Sequence, residues 1–284
     1  MRTCRFRVLL LPFVLSLFAA GAHAGTIDGF AVLGASTVTN TGPTTINGNV
    51  GLSPGSSITG FGTVTLTGVE DIDNTPAING QVDATTFYNT DTAPSFLIGA
   101  VNLTGDDLGS FGSGGLAPGV YDFSSSAQLT GALLLNTEGS DSEYWTFVMG
   151  STLTTASGSS VAIIDTDSGA YTGSIDWLVG SSTTLGTGTA FLGTIVSNAS
   201  DTLNTGATDG CGGVFALTGA VTLDNNTIST ACSITGTGKS GGSPTPVPEP
   251  GTFALLSCGV LGMGFLTIRK SWTQRHCPVA PLIQ

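Results

Sequence analysis

The chain has 284 residues, with 7 Lys and Arg against 19 Asp and Glu, a formal net charge of −12 and a mean hydropathy of +0.33. No cationic side chain lies between His23 and Lys239, so this region cannot neutralise phosphates, and nucleic acid is excluded as a partner. The same gap removes the histidine that a Ser/His/Asp or Cys/His mechanism needs, and the 18 acidic residues from Asp28 to Asp224 read as solubilising charges on a Thr/Ser/Gly-rich surface.

In chain order, residues 1–24 carry Arg2, Arg5 and Arg7, an apolar run from Val8 to Ala20, and Ala22-His23-Ala24. A basic start, a run too short to span a membrane and a small-x-small site predict a secretory signal peptide cleaved before Gly25. Residues 25–235 then form one domain. TPAINGQVDATTFYNT (75–90) predicts a helix with Thr75 as N-cap and Pro76 at its first position; Ile78 and Val82 share a face, while Gly80 and the threonines count against it.

Repeats follow. LLNT (134–137), TLTT (152–155), TLGT (184–187), TLNT (202–205) and TLDN (222–225) place leucines at 135, 153, 185, 203 and 223, separated by 18, 32, 18 and 20 residues. A period of 18 to 20 is too short for helical repeats and suits one turn of a β-solenoid with Gly, Asn and Asp corners. SVAII, AFLGTIVS and AVTLD alternate as strands do. The expected arrangement is a leucine ladder inside and threonine or asparagine outside. DTLNTGAT (201–208) is one rung of it. Stacked strands lie about 4.7–4.9 Å apart and alternate residues about 6.5–7 Å apart, so an outward Thr face is a flat grid of methyl and hydroxyl groups, stiffened at χ1 by the β-branch.

Chemical motifs are sparse. Cys211 and Cys232 are expected to pair as a disulfide in an exported chain; a metal pair has no histidine to complete it. Asp71 with Asp73, and Asp165 with Asp167, are close carboxylate pairs that read as solvated corners rather than a glycosidase pair. Asp165-x-Asp167-x-Gly169 is a weak structural calcium signal without the rest of an EF-hand loop. No enzyme activity, metal or other cofactor is expected. A Gly/Ser/Pro linker (236–248) leads into an apolar run from Thr252 to Ile268, about 17 residues, at the lower limit for a membrane span, followed by Arg269 and Lys270. Residues 271–284 form a cytoplasmic tail.

Two resemblances give these features a context. Val-Pro-Glu-Pro (247–250), an apolar helix and a basic pair resemble the PEP-CTERM sorting signal, here 249–270. That implies a Gram-negative exporter, an exosortase-type processing enzyme, a transient inner-membrane anchor and a place at the cell surface or in exopolysaccharide. FAVLGASTVTNTGPTTINGNVGLSPGSSITGF, LAPGVYDFSSSAQLTGALLL, VGSSTTLGTGTAFLGTIVS and FALTGAVTLDNNTI resemble bacterial and fungal ice-binding proteins. This resemblance implies an all-β-dominated fold: a right-handed, discontinuous β-solenoid with a long helix alongside and the N-terminal strands stacked beside the C-terminal coil. It implies adsorption to ice through one flat solenoid face with Thr-Ala/Gly-x-Thr/Asn motifs, here Thr41-Gly42-Pro43-Thr44 and Thr205-Gly206-Ala207-Thr208. The candidate ice contacts are Thr41, Thr44, Thr184, Thr187, Thr202, Thr205 and Thr208. The competing expectation is a non-enzymatic surface, matrix or adhesion protein without ice activity.

Overall fold

Short strands with one apolar face cannot bury it alone and must stack to close a core. The computed structural model, which describes residues 26–164, 166 and 171–231, winds such strands into a solenoid of three parallel sheets, of nine, seven and seven strands among those residues. The leader, Cys232, the segments beyond it and the Asp165-x-Asp167-x-Gly169 motif lie outside the described residues. Among the described residues, no helix is long and apolar enough to cross a membrane.

The winding is discontinuous, as the resemblance implies. Phe30–Gly34, Thr37–Thr41 and Thr45–Asn47 form a coil seated on Val214–Ala216, Val221–Asp224 and Thr227–Ser229. Val32 lies opposite Val214, Thr39 opposite Thr222 and Ile46 opposite Ile228. A further coil ends at the edge strand Glu70–Ile72, and the chain resumes at the opposite edge of the nine-stranded sheet with Val101–Asn102. It must therefore cross that whole sheet, and helix α1 (Thr75–Asp91) makes most of the crossing.

Helix α1 forms where expected, but two of its details differ. Its N-cap is Asn74, whose side chain accepts from Ala77 N at 3.2 Å and donates to Asp71 Oδ1 at 2.7 Å. Thr75 is thus the first helical residue. Asp71 is a buried anchor for the cap rather than a solvated corner. The buried face is Ala77, Gly80, Ala84, Phe87 and Asp91, whereas Ile78 and Val82 face solvent. Small residues face the sheet because the helix lies close to it. A Cβ at Gly80 would stand 2.9 Å from the Phe30 ring, so the glycine that weakens the helix locally is what lets it dock. Phe30, Leu33, Val148, Leu178, Val196 and Phe215 supply the apolar surface beneath.

Inside the solenoid the register stacks like on like. Tyr121, Phe147 and Trp177 occupy one column, with ring centroids 5.3 and 4.1 Å apart, and Phe191 tilts against Trp177 at 4.7 Å. The leucine ladder is shorter than the repeat suggests. Leu185, Leu203 and Leu223 stack, but Leu153 pairs with Thr183 and Leu135 lies in the other seven-stranded sheet. The cause is register: Thr154 pairs with Thr184, so Thr155 takes the inward place that Leu185 fills one coil on, and its hydroxyl is satisfied by Thr189 at 2.7 Å.

A threonine ladder as candidate functional site

One seven-stranded sheet runs, in spatial order, Ala127–Leu129, Leu153–Thr155, Thr183–Leu185, Asp201–Leu203, Val221–Asp224, Thr37–Thr41 and Ser57–Thr59. In the first four of these strands the outer residues turn inward and the central one turns out, and pairing carries that outward position onward to Thr222, Thr39 and Thr59, the last at the end of its strand. Those positions are Gln128, Thr154, Thr184, Thr202, Thr222, Thr39 and Thr59, each in register with the next. Six consecutive rungs therefore carry threonine on one line. Thr39 Oγ1 approaches Thr222 Oγ1 at 3.4 Å. Two residues upstream, a parallel column of Ser126, Thr152, Ser182, Ser200, Ala220, Thr37 and Ser57 adds a second line of small groups, with Thr152 Oγ1 bonded to Ser126 Oγ at 2.9 Å. The grid predicted from strand geometry is thus two columns wide and six threonines long.

The nine-stranded sheet is covered by α1, and the remaining sheet presents a less regular outer line. Its central column runs Ala132, Ser160, Ala190, Thr208, Thr227, Thr45 and Thr65, flanked by Leu134 and Ala162. Uniformity therefore singles out the threonine sheet.

Behind its corner with the remaining sheet lies a buried polar staple. Thr44 Oγ1 donates to Asn40 Oδ1 at 2.6 Å, and Asn226 N donates to Thr44 Oγ1 at 3.1 Å. Asn226 Nδ2 reaches the carbonyls of Asn204 and Ala207 at 3.0 and 2.9 Å. This network joins the inserted N-terminal coil to the last two coils and satisfies backbone groups that the turn would leave bare.

The structure sorts the candidate residues. Thr184 and Thr202 lie on the ladder, and Thr41 is exposed at the end of the strand that carries Thr39. Thr187 and Thr205 sit in the turns between sheets, and Thr205 Oγ1 is bonded to Asp224 Oδ2. Thr208 faces outward on the other sheet. Thr44, 1% exposed, is inside the staple and reaches no outer face. The two Thr-Gly-x-Thr motifs are not neighbours: the turn at Asp224 and Asn225 separates them, with Gly206 N bonded to Asp224 O and Asn225 N to Thr41 O. Thr39, Thr59, Thr154 and Thr222 complete the ladder: Thr154 and Thr222 stand beside Leu153 and Leu223 in the TLTT and TLDN repeats, whereas Thr39 and Thr59 lie outside every leucine motif. Their sequence signal is a threonine between two inward residues, legible only once the coils are aligned by pairing. Cys211 is disulfide-bonded.

Comparisons with known proteins agree with this architecture. The family model described as Ice-binding-like matches residues 32–229. An ice-binding protein from Nostoc sp. (strain HG1) is 41% identical over 278 residues, covering 94% of this chain and 98% of that protein. Among solved structures, an ice-binding protein from an Antarctic biological consortium matches with TM-score 0.64 and 36% identity, covering 72% of this chain and 89% of that one. One from the Antarctic ascomycete Antarctomyces psychrotrophicus also matches with TM-score 0.64, at 34% identity, covering 74% and 98%.

Proposed function

Because the chain belongs to the ice-binding-like family, we propose that it adsorbs to ice through the threonine ladder of Thr154, Thr184, Thr202, Thr222, Thr39 and Thr59. The observation that carries this reading is six outward threonines in unbroken register on parallel strands. Rung and side-chain spacings of about 4.7–4.9 and 6.5–7 Å lie close to oxygen repeats in ice. Each methyl excludes liquid water and each hydroxyl joins an ordered water layer. No single contact is strong, and adsorption comes from many acting together on a surface whose χ1 angles are already fixed. The decisive experiment is thermal hysteresis and ice-recrystallisation inhibition by purified residues 25–246 at micromolar concentration. Activity in both supports the reading; inactivity in both leaves a surface or exopolysaccharide matrix protein in its place.

Export belongs to the same proposal. The mature chain begins at Gly25, and the 249–270 segment directs exosortase-type processing after transient anchoring through Thr252–Ile268. Cys211 pairs with Cys232, a loop of about 20 residues whose closure contributes roughly 3 kcal/mol. Intact mass of native material is expected to show a chain starting at Gly25, ending before Thr252 and lacking the two hydrogens of one disulfide. Retention of Thr252–Ile268 refutes the sorting reading, and recovery of two free thiols refutes the pairing.

A further inference from the structure

One coil of the solenoid carries two carboxyl groups in its interior. Asp201, on the strand of Thr202, is 0% exposed; Asp209, on Thr208–Gly210, is 1% exposed. Asp201 stacks between Thr183 and Val221, and Asp209 between Phe191 and Ile228 of the strands on either side. Ser197 Oγ donates to Asp201 Oδ1 at 2.5 Å and lies 2.8 Å from the Thr183 hydroxyl. Asp201 Oδ2 and both oxygens of Asp209 have no hydrogen-bond partner.

Two ionised carboxylates here would be exceptionally costly. Burying an unpaired charge costs several kcal/mol even after relaxation, and the sequence offers no Lys, Arg or His between residues 24 and 238 to offset it. Neutralisation must therefore come from solution. A hard divalent cation demands six or more oxygens. The interior supplies three free ones, among Phe191, Ile228 and Leu203, with no other acidic group assembled around them among the described residues. A proton needs no shell.

We propose that Asp201 and Asp209 form a proton-holding pair that makes the folded solenoid more stable in acid than at alkaline pH. The strands packed on the pair, Thr183–Leu185, Ala190–Leu192, Thr194–Ser197, Val221–Asp224 and Thr227–Ser229, turn no other titratable group toward it; Asp224 faces the turn, bonded to Thr205. Burial pushes Asp201 up to about 8 against the bonds from Ser197 and Thr183, and it pushes Asp209 well above the carboxylate range, with the charge of Asp201 adding to the effect. A raised folded value gives stability that is complete below the unfolded value of 3.8 and is lost as pH climbs through the folded one. Each group lowers the folding constant by up to about tenfold per pH unit over that interval.

The test is the melting temperature of the chain from pH 5 to 9, a window above the lowered Asp107 and below the raised tyrosines Tyr88, Tyr121 and Tyr171. The wild type is expected to melt progressively lower as pH rises. Asp209→Asn, which keeps the shape without the ionisable group, and Asp209→Leu, which continues the apolar column, are expected to flatten that slope and to melt above the wild type at pH 9. If neither variant folds, the carboxyl-carbon NMR signal of Asp209 in the wild-type chain decides, with a neutral-acid shift expected at pH 7. A flat or rising wild-type profile, or an ionised signal, overturns the pair. Destabilisation by EDTA at pH 8 that calcium chloride reverses assigns the site to a cation instead and also overturns it.

Discussion

Thr202→Tyr is expected to remove most of the thermal hysteresis of the processed chain while shifting its melting temperature by only about 1–2 °C. The first half follows from position. Thr202 is a middle rung, in register with Thr184 on one side and Thr222 on the other, so a ring standing above the plane holds the face off the lattice over neighbouring rungs too. The loss exceeds one contact because adsorption depends on simultaneous fit. The second half follows from burial: the side chain points outward, its backbone pairing is untouched, and surface changes of this kind stay within about 0.5 kcal/mol. Thr222→Tyr is expected to behave alike. Thr208→Tyr is the matched control, since Thr208 shares the coil but faces outward on the other sheet. Full activity in Thr202→Tyr and Thr222→Tyr, with loss in Thr208→Tyr, moves the ice contact to the other sheet. Loss in none of them removes both faces from the account.

The contrast between Thr202 and Thr44 shows what the sequence could and could not reveal. Thr184 and Thr202 are legible because their strands share both a motif and a register with the next coil. Thr44 belongs to an equally good surface motif, yet Asn40 and Asn226 draw its hydroxyl inward. Inward or outward in so short a strand depends on a one-residue shift, and that shift is set by long-range partners, here 182 residues away. Thr39 and Thr59 were hidden for a related reason. They lie in coils that insert beside the C-terminal end, and no local periodicity links residue 39 to residue 222.

Helix α1 gives the same lesson from the other side. Thr75 and Pro76 announce a helix, but apolar spacing points to the wrong face. Ile78 and Val82 mark the solvent side, while the docking side is chosen for smallness, because the Phe30 ring comes too close for any side chain at residue 80. A hydrophobic pattern locates a buried face only when the distance between layers leaves room for large residues. The solenoid class itself was readable, since a period near 20 with Gly, Asn and Asp corners has few other physical solutions.

Trp177→Ala is expected to be the converse of the ladder variants, destabilising the fold by about 3–5 kcal/mol and lowering its melting temperature by roughly 10 °C. Trp177 is fully buried, stacks on Phe147 at an interplanar angle of 9°, and touches Phe191. Its Nε1 donates to Leu192 O at 2.9 Å, so truncation opens a cavity and also strips a partner from an interior carbonyl. In a stack where each coil holds only its neighbours, a void at this column uncouples the coils on either side. Near the freezing point, where the variant stays folded, its hysteresis per folded molecule is expected to match the wild type. The register of Thr184, Thr202 and Thr222 rests on backbone pairing in a different sheet. Calorimetry alongside hysteresis separates the two effects. A fall of only one or two degrees removes the aromatic column as the principal core. A folded variant without activity shows instead that the flatness of the threonine face is set by the rings behind it rather than by its own strands.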